Sequence, residues 1–276
     1  MPEGDTIFRA ARTLNRALAG KIISGFKTVL PNLSRIDEDQ PITGRMIESV
    51  ESSGKWLSIH FSGDLVLLTH MRMNGSWHIY RPEDRWQRPR GDMRIVIETP
   101  DFVAVGFNIP VAEFHSEKSL AERSGVSRLG SDILSAEFDP IAAAAALRSA
   151  PHLGVGEALL RQSLIAGLGN VYKSEVCFAC SVSPFRLVSS LTGSELECLI
   201  RTAQKFLAAN VTDVSGSAMV TYTGFRRTTG RANAADRLWV YARAGQPCRR
   251  CGTPVERSKQ DSDARVTFWC PRCQPL

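Results

Sequence analysis

The spacing of apolar residues changes character along the chain, and each change marks a part. From Thr6 onward, Ile7, Ala10, Ala11, Leu14 and Leu18 recur at helical intervals and Gly20 follows as a stop. A helix of about three turns therefore begins just after Pro2 and Glu3. Short β-type runs come next, at Ile22 to Val29, Met46 to Val50, Trp56 to Phe61, Leu65 to Thr69, Trp77 to Tyr80, Met93 to Glu98 and Phe102 to Phe107. Gly54, Ser62-Gly63-Asp64 and Asn74-Gly75 separate several of them with turn chemistry. This pattern predicts a β-sandwich flanked by helices over residues 1–128.

Past Gly125 the pattern changes. Leu129-Gly130-Ser131-Asp132 reads as a connector, Pro140 opens an alanine-rich helix through Leu147, and helical periodicity dominates to about Asn210. Val211 to Ala235, rich in Thr, Gly, Arg and Asn, matches no regular element and reads as a mobile loop. No internal repeat or heptad pattern is present. The predicted class is α+β in two domains, with a helical part over 129–244 and a cysteine-bearing module over 245–276.

Length agrees with this division, since 276 residues exceed the usual single domain. Lys and Arg number 34 against 28 Asp and Glu, a net charge of +6, whose sign suits a polyanionic partner and salt-dependent binding. No run of eighteen apolar residues occurs, and Met1-Pro2-Glu3-Gly4-Asp5 is acidic where a signal peptide carries basic residues. A cytoplasmic protein with no membrane association is expected. In that compartment seven cysteines are not expected to form a disulfide framework, and metal ligation is the better first reading.

Cys248-Arg249-Arg250-Cys251 and Cys270-Pro271-Arg272-Cys273 supply that reading. The pairs are 18 residues apart, within the spacing of a four-cysteine structural zinc site whose intervening residues form a hairpin. One structural Zn2+ is expected on Cys248, Cys251, Cys270 and Cys273. Cys177 and Cys180 lie inside a helical pattern and, with Cys198, read as small buried apolar residues.

Three separated words then carry a resemblance: Met1-Pro2-Glu3-Gly4-Asp5-Thr6, Gly167-Leu168-Gly169-Asn170-Val171-Tyr172-Lys173-Ser174-Glu175, and the terminal four-cysteine finger. In this order they resemble the Fpg/Nei family of DNA glycosylases, and the opening word resembles the endonuclease VIII (Nei) branch. The resemblance implies a bifunctional DNA glycosylase/AP lyase of base excision repair, a monomer acting on damaged DNA and associated with the nucleoid in a bacterium. It implies that the segment from Gly156 is a helix–two-turn–helix element preceding the zinc finger.

The resemblance also assigns residues. Removal of Met1 would leave Pro2 with a secondary amine. An α-amine titrates near about 8 and a lysine near about 10.4, so the terminal amine is free base far more often at neutral pH. Attack on the sugar C1′ by a secondary amine gives an iminium with no N–H to lose, a lasting electron sink for elimination. Glu3 resembles the family's catalytic carboxylate, which protonates the sugar ring oxygen and assists elimination. The adjacent helix N-terminus favours the ionised form, so burial or a nearby phosphate would have to oppose it.

Lys55, on a turn between strands, matches the family lysine held near the damaged nucleotide and its phosphate. Asn170 can cap a helix whose N-terminus makes an anion site, and Arg265 matches the finger's phosphate-binding arginine. In Thr69-His70-Met71-Arg72-Met73-Asn74-Gly75, the residues Arg72, Met73 and Asn74 match the wedge that fills the gap left by an extruded base. Fpg enzymes typically carry an arginine just after the strand ending here at Val105-Gly106, where this chain continues Phe107-Asn108-Ile109-Pro110. The resemblance therefore implies oxidised pyrimidines as the favoured lesions. The alternatives are an Fpg-type enzyme for oxidised purines and a catalytically silent DNA-binding homologue.

Overall fold

The computed structural model describes residues 2–211, 228–229, 236–260 and 265–276. It divides into two compact units that meet in sequence between Arg128 and Leu129. The expected loop from Val211 to Ala235 lies almost wholly outside the described residues.

The first unit opens with α1 (Gly4–Leu18), whose Ile7, Ala10, Ala11, Leu14 and Leu18 are buried on one face, as the helical spacing requires. Gly20 ends it in the left-handed region (φ +78°) and donates its N–H to the Ile47 carbonyl. Then come β1 (Gly25–Thr28), α2 (Pro31–Asp39), β2 (Ile47–Ser53), β3 (Trp56–Phe61), β4 (Leu65–His70), β5 (Ser76–Tyr80), β6 (Met93–Glu98), β7 (Val103–Phe107), β8 (Val111–His115), α3 (Glu117–Glu122) and α4 (Ser124–Ser127).

Two four-stranded antiparallel sheets result, in the orders β1-β6-β7-β5 and β2-β3-β4-β8. One hydrophobic cluster joins them: Ile95, Ile97 and Trp77 from the first sheet, Leu57, Ile59 and Leu67 from the second, and the apolar face of α1. The expected sandwich is present.

Several elements depart from the expected ones. Ile22 to Val29 yields a strand only over Gly25–Thr28, and Ile22 makes an isolated bridge to Met46. Strand β8 has no clean alternation, because only Ala112 is buried while Phe114 lies half-buried against the core. Of α2 only Leu33 is buried, so no apolar stripe announces it; its signal is Pro31 in the first turn.

The second unit contains β9 (Ser131–Asp132), α5 (Pro140–Arg148), α6 (Val155–Leu160), β10 (Ile165–Ala166), α7 (Asn170–Ala179), α8 (Gly193–Val211), β11 (Glu256–Gln260) and β12 (Arg265–Trp269). Asp139 caps α5, its side chain accepting the Ile141 N–H at 2.8 Å. Leu147, Val155, Leu159, Tyr172, Val176, Leu199, Ala203 and Leu207 share the helical core. β11 and β12 pair as the expected antiparallel hairpin. No helix among the described residues is long and apolar enough to cross a membrane.

The cysteine expectation needs one correction. Cys180 and Cys198 form a disulfide, because the end of α7 and the second turn of α8 bring their Cα atoms to 5.9 Å. Their 18-residue separation conceals a contact that only the packing of two helices creates. Cys177 does remain a buried thiol, and burial pushes its pKa up to about 12, which leaves it inert.

Candidate active site and nucleic-acid contacts

Glu3 sits at the N-cap of α1 in an extended conformation, its carbonyl accepting the N–H groups of Thr6 (2.9 Å) and Ile7 (3.1 Å). Its side chain does not cap the helix and is fully buried. Pro2, half-buried, is therefore attached to a residue that two backbone hydrogen bonds fix. Asp5 adds a second buried carboxylate two residues on, 3.8 Å from the Arg9 guanidinium.

Two tight turns of the same unit carry the next candidates. Ser53 pairs with Trp56, so Gly54-Lys55 is a two-residue hairpin loop, and Gly54 takes the positive φ (+59°) such a loop needs. Lys55 is half-buried there. The second turn, residues 71–75, connects one sheet to the other. Gly75 closes it by donating to the Met71 carbonyl at 2.9 Å, and a Cβ on Gly75 would lie 2.5 Å from that same oxygen. Met71 faces inward and is fully buried, whereas Arg72, Met73 and Asn74 project outward, Met73 with 60% of its surface exposed. A large apolar side chain held out at a turn fits a wedge better than a core residue.

His70 is a residue that sequence reasoning quoted but did not single out. Its Nδ1 accepts the Arg72 N–H at 3.0 Å, which places the ring proton on Nε2 when neutral. Burial, followed by the charges of Arg72, Lys55 and Arg123, brings its pKa down to about 4, so the ring is neutral at pH 7.

In the second unit the turn between α6 and α7 is organised by Gln162, whose Oε1 accepts the Gly167 N–H (3.1 Å) and whose Nε2 donates to the carbonyls of Leu160 and Leu168. The N-cap of α7 is Gly169, and no side chain caps it, which corrects the expected capping by Asn170. Asn170 is instead the first helical residue. Its Nδ2 donates to the Val266 carbonyl at 2.7 Å, because β12 packs against α7 and offers an acceptor there. Lys173 continues this seam by donating to Thr267 Oγ1 at 2.6 Å, and the Phe268 N–H reaches Ser174 Oγ at 3.4 Å. Arg265, the first residue of β12, is exposed.

Glu175 closes the quoted word and has the largest structural role in it. Fully buried, it accepts the N–H groups of Trp239 (2.7 Å), Val240 (2.9 Å) and Tyr241 (2.8 Å) and the Thr228 hydroxyl. Burial raises its pKa and these four donors oppose the rise, so the carboxylate anchors the chain leading into the finger. Its only sequence signal was its position in the word.

Cys248, Cys251, Cys270 and Cys273 bring their four sulfurs within 4.8 Å of one another, the one such group among the described residues. Four thiolates at that spacing fit a closed tetrahedral site, with no position left for water. They hold one structural zinc.

Comparison with known proteins agrees with this geometry. Residues 1–108 match the formamidopyrimidine-DNA glycosylase N-terminal domain, residues 129–221 the formamidopyrimidine-DNA glycosylase H2TH domain, and residues 245–276 the zinc finger found in FPG and IleRS. The chain is 39% identical to "Probable endonuclease 8 2" of Streptomyces coelicolor, over 99% of this chain and 94% of that protein. It is 34% identical to "DNA-(apurinic or apyrimidinic site) lyase Nei2" of Mycolicibacterium smegmatis, over 99% of each. The fold is similar to that of the Lactococcus lactis Fpg in complex with DNA containing an abasic site, with a TM-score of 0.82 at 22% identity and full coverage of both chains. Fold, finger and family models together define the class, a zinc-finger DNA glycosylase. Within that class the chain belongs to the Fpg/Nei family, and its similar relatives include endonuclease 8 proteins.

Proposed function

We propose that this DNA glycosylase/AP lyase of base excision repair works through a Schiff base on Pro2 and favours oxidised pyrimidines. The observation that carries the proposal is the start of α1, where the Pro2 amine adjoins a buried Glu3 whose side chain is not used in capping. The amine attacks the sugar C1′, the base departs, the resulting ammonium loses its proton, and cleavage of the C1′–O4′ bond with protonation of O4′ gives an iminium that draws off the electrons of successive C–H and C–O cleavages. Glu3 serves as the acid for ring opening and as a proton acceptor in the eliminations. Lys55 and the Nε2–H of His70 hold the damaged nucleotide's phosphate. Arg72, Met73 and Asn74 occupy the space that the extruded base vacates.

Asn170 has a second amide hydrogen beyond the one given to Val266, and it meets the DNA backbone together with Arg265. The sandwich (1–128) does the chemistry, and the helical part (129–244) and the finger (245–276) hold the duplex, by a monomer in the cytoplasm. After β7 the chain offers Asn108 in the left-handed region (φ +49°) and then Ile109 buried in the core, so no arginine extends from that turn toward an orphaned base. A missing hydrogen-bond donor forgoes roughly 1–3 kcal/mol of discrimination per base, which leaves the opposite strand weakly read.

Borohydride trapping on abasic-site DNA tests the nucleophile: the mature protein is captured covalently, and protein with a blocked N-terminus is not. Undiminished capture by the blocked protein overturns the assignment. Excision of thymine glycol and dihydrouracil should outpace that of 8-oxoguanine opposite cytosine in matched duplexes, and the reverse order restores the oxidised-purine reading.

A further inference from the structure

The outward face of the β2-β3-β4-β8 sheet carries a side-chain cluster to which the reaction above assigns no part. Along β3, Leu57, Ile59 and Phe61 are buried in the core, so Trp56, Ser58 and His60 point the other way. Over Trp56 lies Arg123, the residue between α3 and α4, its guanidinium carbon 4.2 Å from the ring centroid. The same guanidinium forks onto Glu113 of β8, with Nε to Oε2 at 2.6 Å and Nη2 to Oε1 at 3.0 Å. The hydrogen bonds from Arg123 lower the Glu113 pKa against the opposing effect of burial and so favour the ionised pair. Gly125 completes the arrangement: a Cβ there would lie 2.4 Å from Arg123 Nη1 and 3.1 Å from the Trp56 ring, so a larger residue would displace one of them.

Trp56 is thereby held by more than its strand. It follows Lys55 directly, and across the β3–β4 pair it faces His70, whose ring meets it edge-on with centroids 4.8 Å apart. His70 in turn accepts the backbone N–H of Arg72. One indole therefore touches the structure beneath both functional turns, and Arg123 fixes that indole from outside.

We infer that Arg123 is a positioning residue for the reaction, clamping Trp56 against His70 so that the Lys55 turn and the 71–75 turn keep one mutual geometry. The inference rests on the proposed role of Lys55. Only arginine suits the place, because a planar guanidinium stacks on an aromatic face while its edge forks onto a carboxylate, and an ammonium cannot do both.

A double-mutant cycle on single-turnover base excision tests it, with Arg123→Ala, Arg123→Lys, Lys55→Ala and the Arg123→Ala/Lys55→Ala pair, at 25 °C and below every variant's Tm. A misplacement of order 1 Å costs up to about 100-fold, so Arg123→Ala and Arg123→Lys should each slow excision roughly 10- to 100-fold. In the Lys55→Ala background the Arg123→Ala effect should shrink to about twofold or less, as expected when one residue acts through the other. Should Arg123→Ala fail to fold, Arg123→Lys takes its place in the cycle. Wild-type rates in Arg123→Lys, or an Arg123 effect that multiplies undiminished onto Lys55→Ala, overturn the clamp alone. A Lys55→Ala variant that excises at the wild-type rate overturns the role of Lys55 and the clamp with it.

Discussion

The sandwich and the finger bury apolar surface on very different scales. In the sandwich one cluster runs from α1 through both sheets, and at about 25 cal/mol per Å² that burial alone is a large stabilising term. The finger's buried cluster consists of Val255 and two of the zinc-binding cysteines, Cys248 and Cys270, packed with Val240 and with Phe178 of α7. So small a core needs other links, and it has them in the four thiolates, the Glu175 carboxylate and the seam between α7 and β12. The catalytic candidates of the first unit sit at the start of α1 and on a turn of the sandwich, while the proposed grip of the second depends on polar and metal links.

Removing the metal should break this contrast most sharply. Structural zinc contributes about 10–16 kcal/mol of apparent binding free energy in finger peptides, far more than the finger's apolar core supplies. Stripping zinc, or Cys270→Ser, should expose β12 to hydrogen exchange and weaken DNA binding while β3 stays protected. Loss of protection in both strands would mean that the sandwich is not self-sufficient. Elemental analysis should give one zinc per chain in the untreated protein.

Glu175→Ala comes next. It takes the acceptor from three backbone N–H groups and leaves the Thr228 hydroxyl only the Arg237 carbonyl, and an unsatisfied buried donor costs roughly 1–3 kcal/mol. The loss should appear as protease sensitivity around Trp239 with the sandwich intact. In the sandwich itself Leu57→Ala should cost roughly 2–5 kcal/mol, spread over the whole unit, with zinc content unchanged. Smallest is reduction of the Cys180–Cys198 bridge, which closes a short loop and should lower stability by at most about 3 kcal/mol, read as a fall in Tm on adding dithiothreitol.

What could be read in the sequence follows the same division. Where burial alternates along a strand, as in Trp56 to Phe61, the pattern is the structure. The zinc site was readable because both pairs fix their own spacing. Residues whose work depends on distant chain were not. Asn170 looked like a helix cap until β12 supplied a closer acceptor, and Cys180 looked like a core residue until α8 brought Cys198 beside it. Glu175 is one carboxylate among many in the sequence, and only the fold shows four donors converging on it. Arg123 likewise reads as a surface charge, because nothing local records that Trp56 and Glu113 lie beneath it.

The hydrogen bond from Asn170 to the Val266 carbonyl has a consequence for how duplex DNA is held. Val266 is the neighbour of Arg265, so the two proposed backbone ligands of this unit are joined through a 2.7 Å contact rather than carried on independent arms. They then act as the fixed jaws of a caliper. Once one phosphate is engaged the other jaw is already at its working distance, and the second contact forms without a further ordering cost.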